Sequence, residues 1–256
     1  MKHTALFGFE VYTGSTESLA QAIVEAVQKG ETLYQASLNA SKLALCRRSD
    51  RFRDTMRGFD VVSADGMSVV WAGRLCGARI EERVAGIDLM DRLLGLSTVH
   101  SIPIYLLGAR GDVLERAAAK MLSSHPSLRI AGTHHGYFDA RDEDGIVSAI
   151  NQSGAKILFV GMGSPGKEEL LARQRPRLKV RFAMGVGGAY DIWAGDVPRA
   201  SVRMQRYGLE WFHRMLQEPR RLAGRYLHDN ALFALVVARE LMAVRRRRVS
   251  HAQRTR

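Results

Sequence analysis

The apolar and polar positions change period several times along the chain, and each change marks an element. Over residues 15–29, Leu19, Ile23, Val24 and Val27 recur at three- and four-residue spacing, the stripe of an amphipathic helix. Thr13, Gly14 and Ser15 offer a cap before it, with Glu17 and Ser18 following. Short apolar runs then alternate with such stripes. The runs at 33–38, 60–64, 102–107, 129–132, 156–160 and 180–186 have the length and flanks of strands. Helices are expected from residue 41, over the charged stretch 47–57, and over 112–124, 142–152 and 167–175. This alternation predicts an α/β fold, a mostly parallel sheet with helices on both faces.

Residues 59–90 (FDVVSADGMSVVWAGRLCGARIEERVAGIDLM) hold a strand ending in Asp65 and Gly66, a helix, a charged turn with Arg83, and the start of another helix. A carboxylate at the carboxyl end of a strand lies on the rim where open α/β sheets bind ligands. Aspartate before glycine is also a common turn residue or helix cap. Arg83, after Glu81 and Glu82, reads equally as part of a surface charge cluster. Spacing alone leaves these alternatives open.

The pattern shifts again after residue 196. Residues 200–218 form an amphipathic stretch with Leu209, Trp211, Phe212, Met215 and Leu216 on its apolar side, and Pro219 interrupts it. A second helix is expected over 229–244, with an apolar centre at Leu232, Phe233, Leu235, Val236 and Val237, closed by four arginines at 245–248. The pair is suited either to lie on a membrane or to pack on the main domain. A main unit of 1–198 and a helical appendage of 199–256 are therefore expected.

Charge sharpens that boundary. Of the net +12, residues 199–256 carry +10 through 14 arginines against 4 acids, leaving +2 for residues 1–198. A basic end suits a polyanion, either nucleic acid or anionic lipid, and a solvated tail is the bland alternative. Overall composition, 46% hydrophobic and 25% charged, is that of a globular protein. Cys46 and Cys76 lack CxxC spacing, which points to a reducing compartment with no disulfide framework or zinc site. The opening MKHTALFGFE has no signal-peptide core, and no apolar run approaches the roughly 18 residues of a membrane span. A cytoplasmic location is expected, unless the chain is held at a membrane surface.

Positions 161–166 (GMGSPG) match the dinucleotide fingerprint GxGxxG between an expected strand and helix. The next strand has no acid at its tip to hold a ribose hydroxyl, so a generic phosphate-cradling turn competes with NAD or FAD binding. His134 and His135 are adjacent, are expected to point apart, and lack a nearby carboxylate at ligand spacing. The small residues at 185–189 let a backbone approach a ligand, with Asp191 at the mouth.

Taken together, residues 33–227 resemble the WecG/TagA/CpsF family of bacterial glycosyltransferases (glycosyltransferase family twenty-six). Nine blocks in the family's order carry the resemblance: ADG with the following Val69 and Val70, ERVAGIDL (82–89), LLGARGD (106–112), HHGYF (134–138), GMGSP (161–165), GVGGAYDIWAG (185–195), RAS (199–201), GLEWFHRMLQEPRR (208–221) and RY (225–226). The resemblance implies a Rossmann-like sheet and a metal-independent, cofactor-free hexosyltransferase that inverts the anomeric centre. It implies a UDP-sugar donor of the N-acetylmannosamine, uronic acid or glucose type. The implied acceptor is a sugar, typically N-acetylglucosamine, on a polyprenyl (undecaprenyl) diphosphate.

Carried over residue by residue, the resemblance makes Asp65 the base for the acceptor hydroxyl. Ser37, where the family has Thr, Asn39 and Arg83 then stand beside it. Gly108, Gly163, Gly187 and Gly188 become backbone platforms for the departing diphosphate, Tyr137 a uracil-stacking ring, and Asp191 a nucleoside partner. The appendage contributes Arg214, Arg221 and Arg225 over the site. Two departures stand out. The family's pocket glutamine is Lys167, which can pair with a donor carboxylate or with the diphosphate, and its Arg-Ala-Pro is Arg199-Ala200-Ser201.

The expected partners are thus a UDP-sugar, a polyprenyl-diphosphate-linked acceptor and an anionic membrane surface met by the basic appendage. A homo-oligomer is compatible with this. The rivals are a nucleotide-binding oxidoreductase using 161–166 and a non-enzymatic nucleic-acid binder using the arginines. The latter lacks the aromatic-interleaved basic surface of a base reader.

Overall fold

The chain opens with a hairpin that the apolar pattern does not announce. β1 (His3–Leu6) and β2 (Phe9–Tyr12) pair antiparallel around a two-residue turn, Phe7 and Gly8, both at positive φ. Such turns usually advertise themselves by Asn-Gly or Asp-Gly; Phe7 supplies no such signal. The structure, a computed structural model, describes the backbone of residues 1–217 and 219–254. The side chains of 202, 206, 214, 217, 219–223, 225–227 and 247–254 lie outside the description.

Next come α1 (Thr16–Gln28), β3 (Leu33–Leu38), α2 (Ala40–Arg48), α3 (Asp50–Arg57), β4 (Val61–Ala64), α4 (Met67–Leu75) and α5 (Gly86–Val99). The second half supplies β5 (Ile104–Gly108), α6 (Gly111–Ser124), β6 (Ile130–His134), α7 (Glu143–Gln152), β7 (Ile157–Gly161), α8 (Gly166–Gln174), β8 (Phe182–Gly185) and α9 (Ala189–Ala194). The expected strands and helices sit within a few residues of these bounds. Ser15 caps α1 through a reciprocal box with Ser18, as its position before the apolar stripe suggests.

The eight strands form one sheet in the order β1-β2-β4-β3-β8-β7-β5-β6, parallel throughout apart from the β1–β2 hairpin. Apolar side chains project from both faces into two cores. Leu43, Phe52, Met56, Val70 and Leu171 fill one, from α2, α3, α4 and α8. Leu19, Ile23, Leu93, Leu114 and Tyr190 fill the other, from α1, α5, α6 and α9. Since β3 leads to its neighbour β4, and β4 then crosses to β5 beyond β8 and β7, the connection reverses direction. The crevice at such a reversal, outside the carboxyl strand ends, is where sheets of this kind bind ligands.

Two glycines let the carboxyl ends close up. A Cβ on Gly161 would stand 2.3 Å from the Tyr190 ring, and one on Gly108, at φ +131°, would stand 2.4 Å from the Gly161 carbonyl oxygen. The ends of β5 and β7 therefore approach each other and α9 more closely than any side chain permits.

The C-terminal stretch differs from expectation in two ways. The single helix predicted over 200–218 is divided into α10 (Val202–Arg206) and α11 (Glu210–Gln217), because Gly208 adopts φ +66° and turns the chain between them. Conversely, the helix predicted over 229–244 is the middle of a 36-residue helix, α12 (Pro219–Arg254). Pro219 opens α12 at the position where its missing N–H costs nothing. Phe233, Val236, Val237, Leu241 and Val244, one helical stripe, pack against the first core. Arg48 of α2 holds the buried Asp229 carboxylate at 2.8 Å. Of the two dispositions open to this helix, packing on the main domain is therefore realised. Among the described residues, no helix is long and apolar enough to cross a membrane.

Candidate active site

β3 and β4 run side by side in parallel, with Ser37 beside Ser63 and Leu38 beside Ala64. Their register delivers Ser37 and Asp65 to the same rim. One residue past β4, the Asp65 amide donates to the Leu38 carbonyl at 2.8 Å, so Asp65 hangs from the tip of β3. The cap position of the following helix belongs to Gly66, at φ +108°, and no side chain caps α4. This removes the helix-cap reading of Asp65. Its carboxylate accepts no hydrogen bond among the described residues and keeps a partly open surface. Burial pushes its pKa above the usual carboxylate value, Lys42 and Arg83 pull the other way, and the charges of Glu210 and Asp88 add to the rise.

Behind Asp65 lies a buried cluster of charge. Lys42, in the first turn of α2, points its ammonium at the Ser37 carbonyl (2.7 Å), the Ser37 hydroxyl (3.0 Å) and Glu168 Oε1 (2.9 Å). Glu168 Oε1 also meets the Lys167 ammonium at 3.2 Å and accepts from the Ser164 hydroxyl at 3.0 Å, while Oε2 is buried without a partner among the described residues. Lys167 Nζ donates to Ser164 Oγ at 2.6 Å, and its aliphatic stem crosses Gly185, where a Cβ would lie 2.5 Å from Lys167 Cδ. Burial pushes the Lys167 pKa down to about 8, with repulsion from Lys42 adding and Glu168 opposing. Burial works against the charge of Glu168 too, but the two lysines outweigh it and hold its pKa low.

A second cluster ties the appendage to the rim. Arg83, almost buried, donates to Glu210 of α11 and to Asp88 of α5 (2.9 Å), and reaches Gln205 of α10 at 3.5 Å. Arg199 bridges the same two acids. Two guanidinium groups and two carboxylates thus close a neutral square between α5 and the start of α11. Pairing of this kind is costly to break from one side, because the remaining partner is left as a poorly solvated charge.

The other expected site residues are distributed as follows. Asn39 caps α2, its Oδ1 accepting from the Lys42 amide at 3.0 Å, so its side chain is engaged in fixing the helix that carries Lys42. Gly108, Gly163, Gly187 and Gly188 all lie at or just beyond the carboxyl ends of β5, β7 and β8, and a Cβ on Gly163 or Gly187 would meet nothing within 4 Å. Backbone there is open to approach. Tyr137 follows β6 and is 73% exposed, a ring displayed on the rim. Asp191, in α9, is half-buried, and its carboxylate makes no hydrogen bond among the described residues. Calls on the Arg214, Arg221 and Arg225 side chains fall outside the described residues.

Contrary to expectation, His134 and His135 do not point apart. Their rings lie 4.6 Å centroid to centroid, and His134 Nδ1 is 2.7 Å from the His135 carbonyl oxygen. Among the described residues, no three His, Cys, Asp or Glu side chains are grouped to hold a metal ion. A hollow lined by Pro103, Leu128, Ile130 and Gly154 opens at the opposite, amino ends of β5 and β6, away from all of these groups.

Sequence reading missed Lys42, Glu168, Asp88 and Glu210. A lone lysine in the first turn of a helix and acids in amphipathic stretches look like solvated charges, and only the parallel register folds them inward. Comparison with known protein families gives one finding: the model of the glycosyl transferase WecG/TagA/CpsF family matches residues 4–247.

Proposed function

Since the chain belongs to the WecG/TagA/CpsF family of glycosyl transferases, we propose that it moves a hexose-type sugar from a UDP donor to a polyprenyl-diphosphate-linked sugar, inverting the anomeric centre, with Asp65 as base. Membership alone makes it a glycosyltransferase of cell-surface polysaccharide biosynthesis, acting on a sugar donor and an acceptor. The observation that carries the finer reading is the Asp65 carboxylate. It accepts no hydrogen bond among the described residues, is raised in pKa by burial, and sits at the crevice where the strand connection reverses.

In the proposed reaction, the acceptor hydroxyl oxygen forms a bond to the anomeric carbon as its proton passes to Asp65. The bond from that carbon to the UDP oxygen breaks on the opposite face, and UDP leaves with the electron pair. Burial favours Asp65 as a proton acceptor, since a base is more effective as its pKa climbs toward the working pH. Backbone amides around Gly108, Gly163, Gly187 and Gly188 and the ammonium of Lys167 are suited to the charge growing on the diphosphate. Tyr137 stacks on uracil and Asp191 takes a nucleoside hydroxyl in this reading, while Ser37, Asn39 and Arg83 shape the base's surroundings. Arg214, Arg221 and Arg225 are assigned to the departing diphosphate on the family resemblance alone.

A screen of UDP-sugars (UDP-N-acetylmannosamine, its uronic acid and UDP-glucose) against an N-acetylglucosamine-diphosphate lipid tests the proposal. One donor is expected to give UDP and an inverted glycoside. Release of UDP from none of them, or a retained anomer, refutes it.

We assign residues 1–198 as the catalytic unit and 199–256 as the unit that holds the enzyme peripherally on the cytoplasmic membrane face. Charge supports this, with about 1 kcal/mol expected from each arginine near an anionic surface. So do three exposed apolar side chains, Trp71 (50% exposed) and Leu75 (67%) one turn apart on α4 and Tyr207 (71%) beside Gly208, whose turn lies against Met67 and Trp71. Co-sedimentation with vesicles of anionic lipid is expected to fall severalfold for Trp71→Ser/Leu75→Ser/Tyr207→Ser and to fade as salt rises. Unchanged binding, or equal binding to neutral vesicles, removes the membrane assignment.

A further inference from the structure

We propose that Lys42 is a positioning residue of this site: its ammonium sets the Ser37 hydroxyl as a hydrogen-bond donor toward bound substrate and fixes the tip of β3 from which Asp65 hangs. The inference rests on the transferase reading of the site and extends it to a side chain no sequence motif singles out.

Three distances carry it. A lysine ammonium has three N–H donors, and those of Lys42 are taken up by the Ser37 carbonyl oxygen (2.7 Å), Ser37 Oγ (3.0 Å) and Glu168 Oε1 (2.9 Å). No donor is left for a ligand, so Lys42 acts through the groups it touches. One of these is the Ser37 hydroxyl. Because its oxygen accepts from an ammonium, its own hydrogen is turned away, and that hydrogen has no acceptor among the described residues. Ser37 is buried, and a buried hydroxyl hydrogen without an acceptor is an anomaly that a ligand oxygen resolves. Donation is also strengthened when the same oxygen accepts from a cation.

The second consequence is mechanical. Ser37 is one residue before Leu38, whose carbonyl holds the Asp65 amide at 2.8 Å. Lys42 grips Ser37 at both carbonyl and hydroxyl and is itself held in place by Glu168 of α8, with its backbone amide bound by Asn39. The β3 tip is thus clamped between α2 and α8, and the Asp65 backbone with it. Asp65 is faced by Lys42, by Arg83 from the loop before α5, by Asp88 of α5, by Lys167 of α8 and by Glu210 of α11. Of the positive charges that favour its ionised form, Lys42 acts most strongly.

A double-mutant cycle tests this on the full-length chain, using UDP-N-acetylmannosamine and the N-acetylglucosamine-diphosphate lipid, or whichever UDP-sugar the screen finds active. Lys42→Met is expected to lower kcat roughly tenfold, the scale of a hydrogen bond to a charged group. Ser37→Ala is expected to do likewise, and the double variant to be within about twofold of the worse single one, because both remove the same contact. In parallel, the Asp65 carboxyl is titrated by carbon NMR, assigned by its disappearance in Asp65→Asn. In Lys42→Met it is expected to titrate at higher pH than in the wild type, and the acidic limb of the pH–rate profile to move with it.

Multiplying losses in the cycle, or an Asp65 titration unmoved by Lys42→Met, overturns the proposal. Lys42→Gln, which keeps an N–H donor group and loses the charge, replaces Lys42→Met in both measurements if the latter does not fold. Should no UDP-sugar be transferred, the transferase reading fails by itself, and the Asp65 titration still decides whether Lys42 governs that carboxyl.

Discussion

Asp65→Asn is expected to slow sugar transfer by about 10²–10⁴-fold, the usual contribution of a general base, while the protein stays folded. The two outcomes follow from one cause. Burial raises the Asp65 pKa, so the folded state binds this proton more tightly than the unfolded chain does. The ionised carboxylate therefore lowers stability at every pH above its folded pKa, and an uncharged amide of the same shape removes that cost. At pH 7 the variant should melt no lower than the wild type, although the strand tip and its Leu38 contact are intact. The wild-type rate should rise with pH along a limb lying above the ordinary carboxylate value of 3.8, because the base works only when ionised. Steady-state rates and thermal denaturation of the two proteins are sufficient to check this. A folded variant with near-normal rates would remove Asp65 from the mechanism.

The second large effect concerns Lys167, where the resembled family carries glutamine. Its pKa falls from 10.5 in the unfolded chain to about 8 in the fold. Below about pH 8 the side chain is charged in both states and the full cost of burying that charge is present. Between about 8 and 10.5 the unfolded chain holds the proton and the folded one does not, so stability climbs with pH, and above 10.5 the cost is gone. The span corresponds to about 3 kcal/mol. Lys167→Gln has no such titration. The unfolding free energy of wild type minus variant, measured by urea titration across pH 7–11, should therefore rise by about that amount. A difference that stays flat with pH contradicts the assignment of a charged, buried Lys167. Retaining such a cation beside the proposed base Asp65 is the kind of stability cost found at functional sites.

Much of the sheet was legible because its strands are short apolar runs broken by charged helices, and β3 coincides with the predicted run at 33–38. What escaped was whatever the local pattern does not encode. Phe7 at positive φ hides the opening hairpin. Gly208, one small residue in an otherwise helical stretch, divides α10 from α11, whereas nothing in the sequence short of Arg254 ends α12.

The site divides in the same way. Asp65 was placed on the rim by the rule that open sheets bind at their carboxyl ends, and Gly108 and Gly163 joined it through the family resemblance. Lys42, Glu168 and Glu210 were not, because charges on helices look solvated until the partner is known. Arg83 shows both sides: a cluster with its acidic neighbours was a fair reading, but its partners are Asp88 and the distant Glu210 rather than Glu81 or Glu82.

The ring of Phe7, in the turn of the opening hairpin, rests edge-on against Phe233 of α12 at 6.4 Å between centroids. A ribosome delivers Phe7 before, and Phe233 after, the seven strands β2 to β8. Until α12 emerges, the first core stays open along the surface that Phe233, Val236, Val237, Leu241 and Val244 later cover. The nascent chain thus presents apolar surface that the later α12 covers, and it needs shelter from aggregation during that interval. Closure of the first core therefore waits on the synthesis of α12.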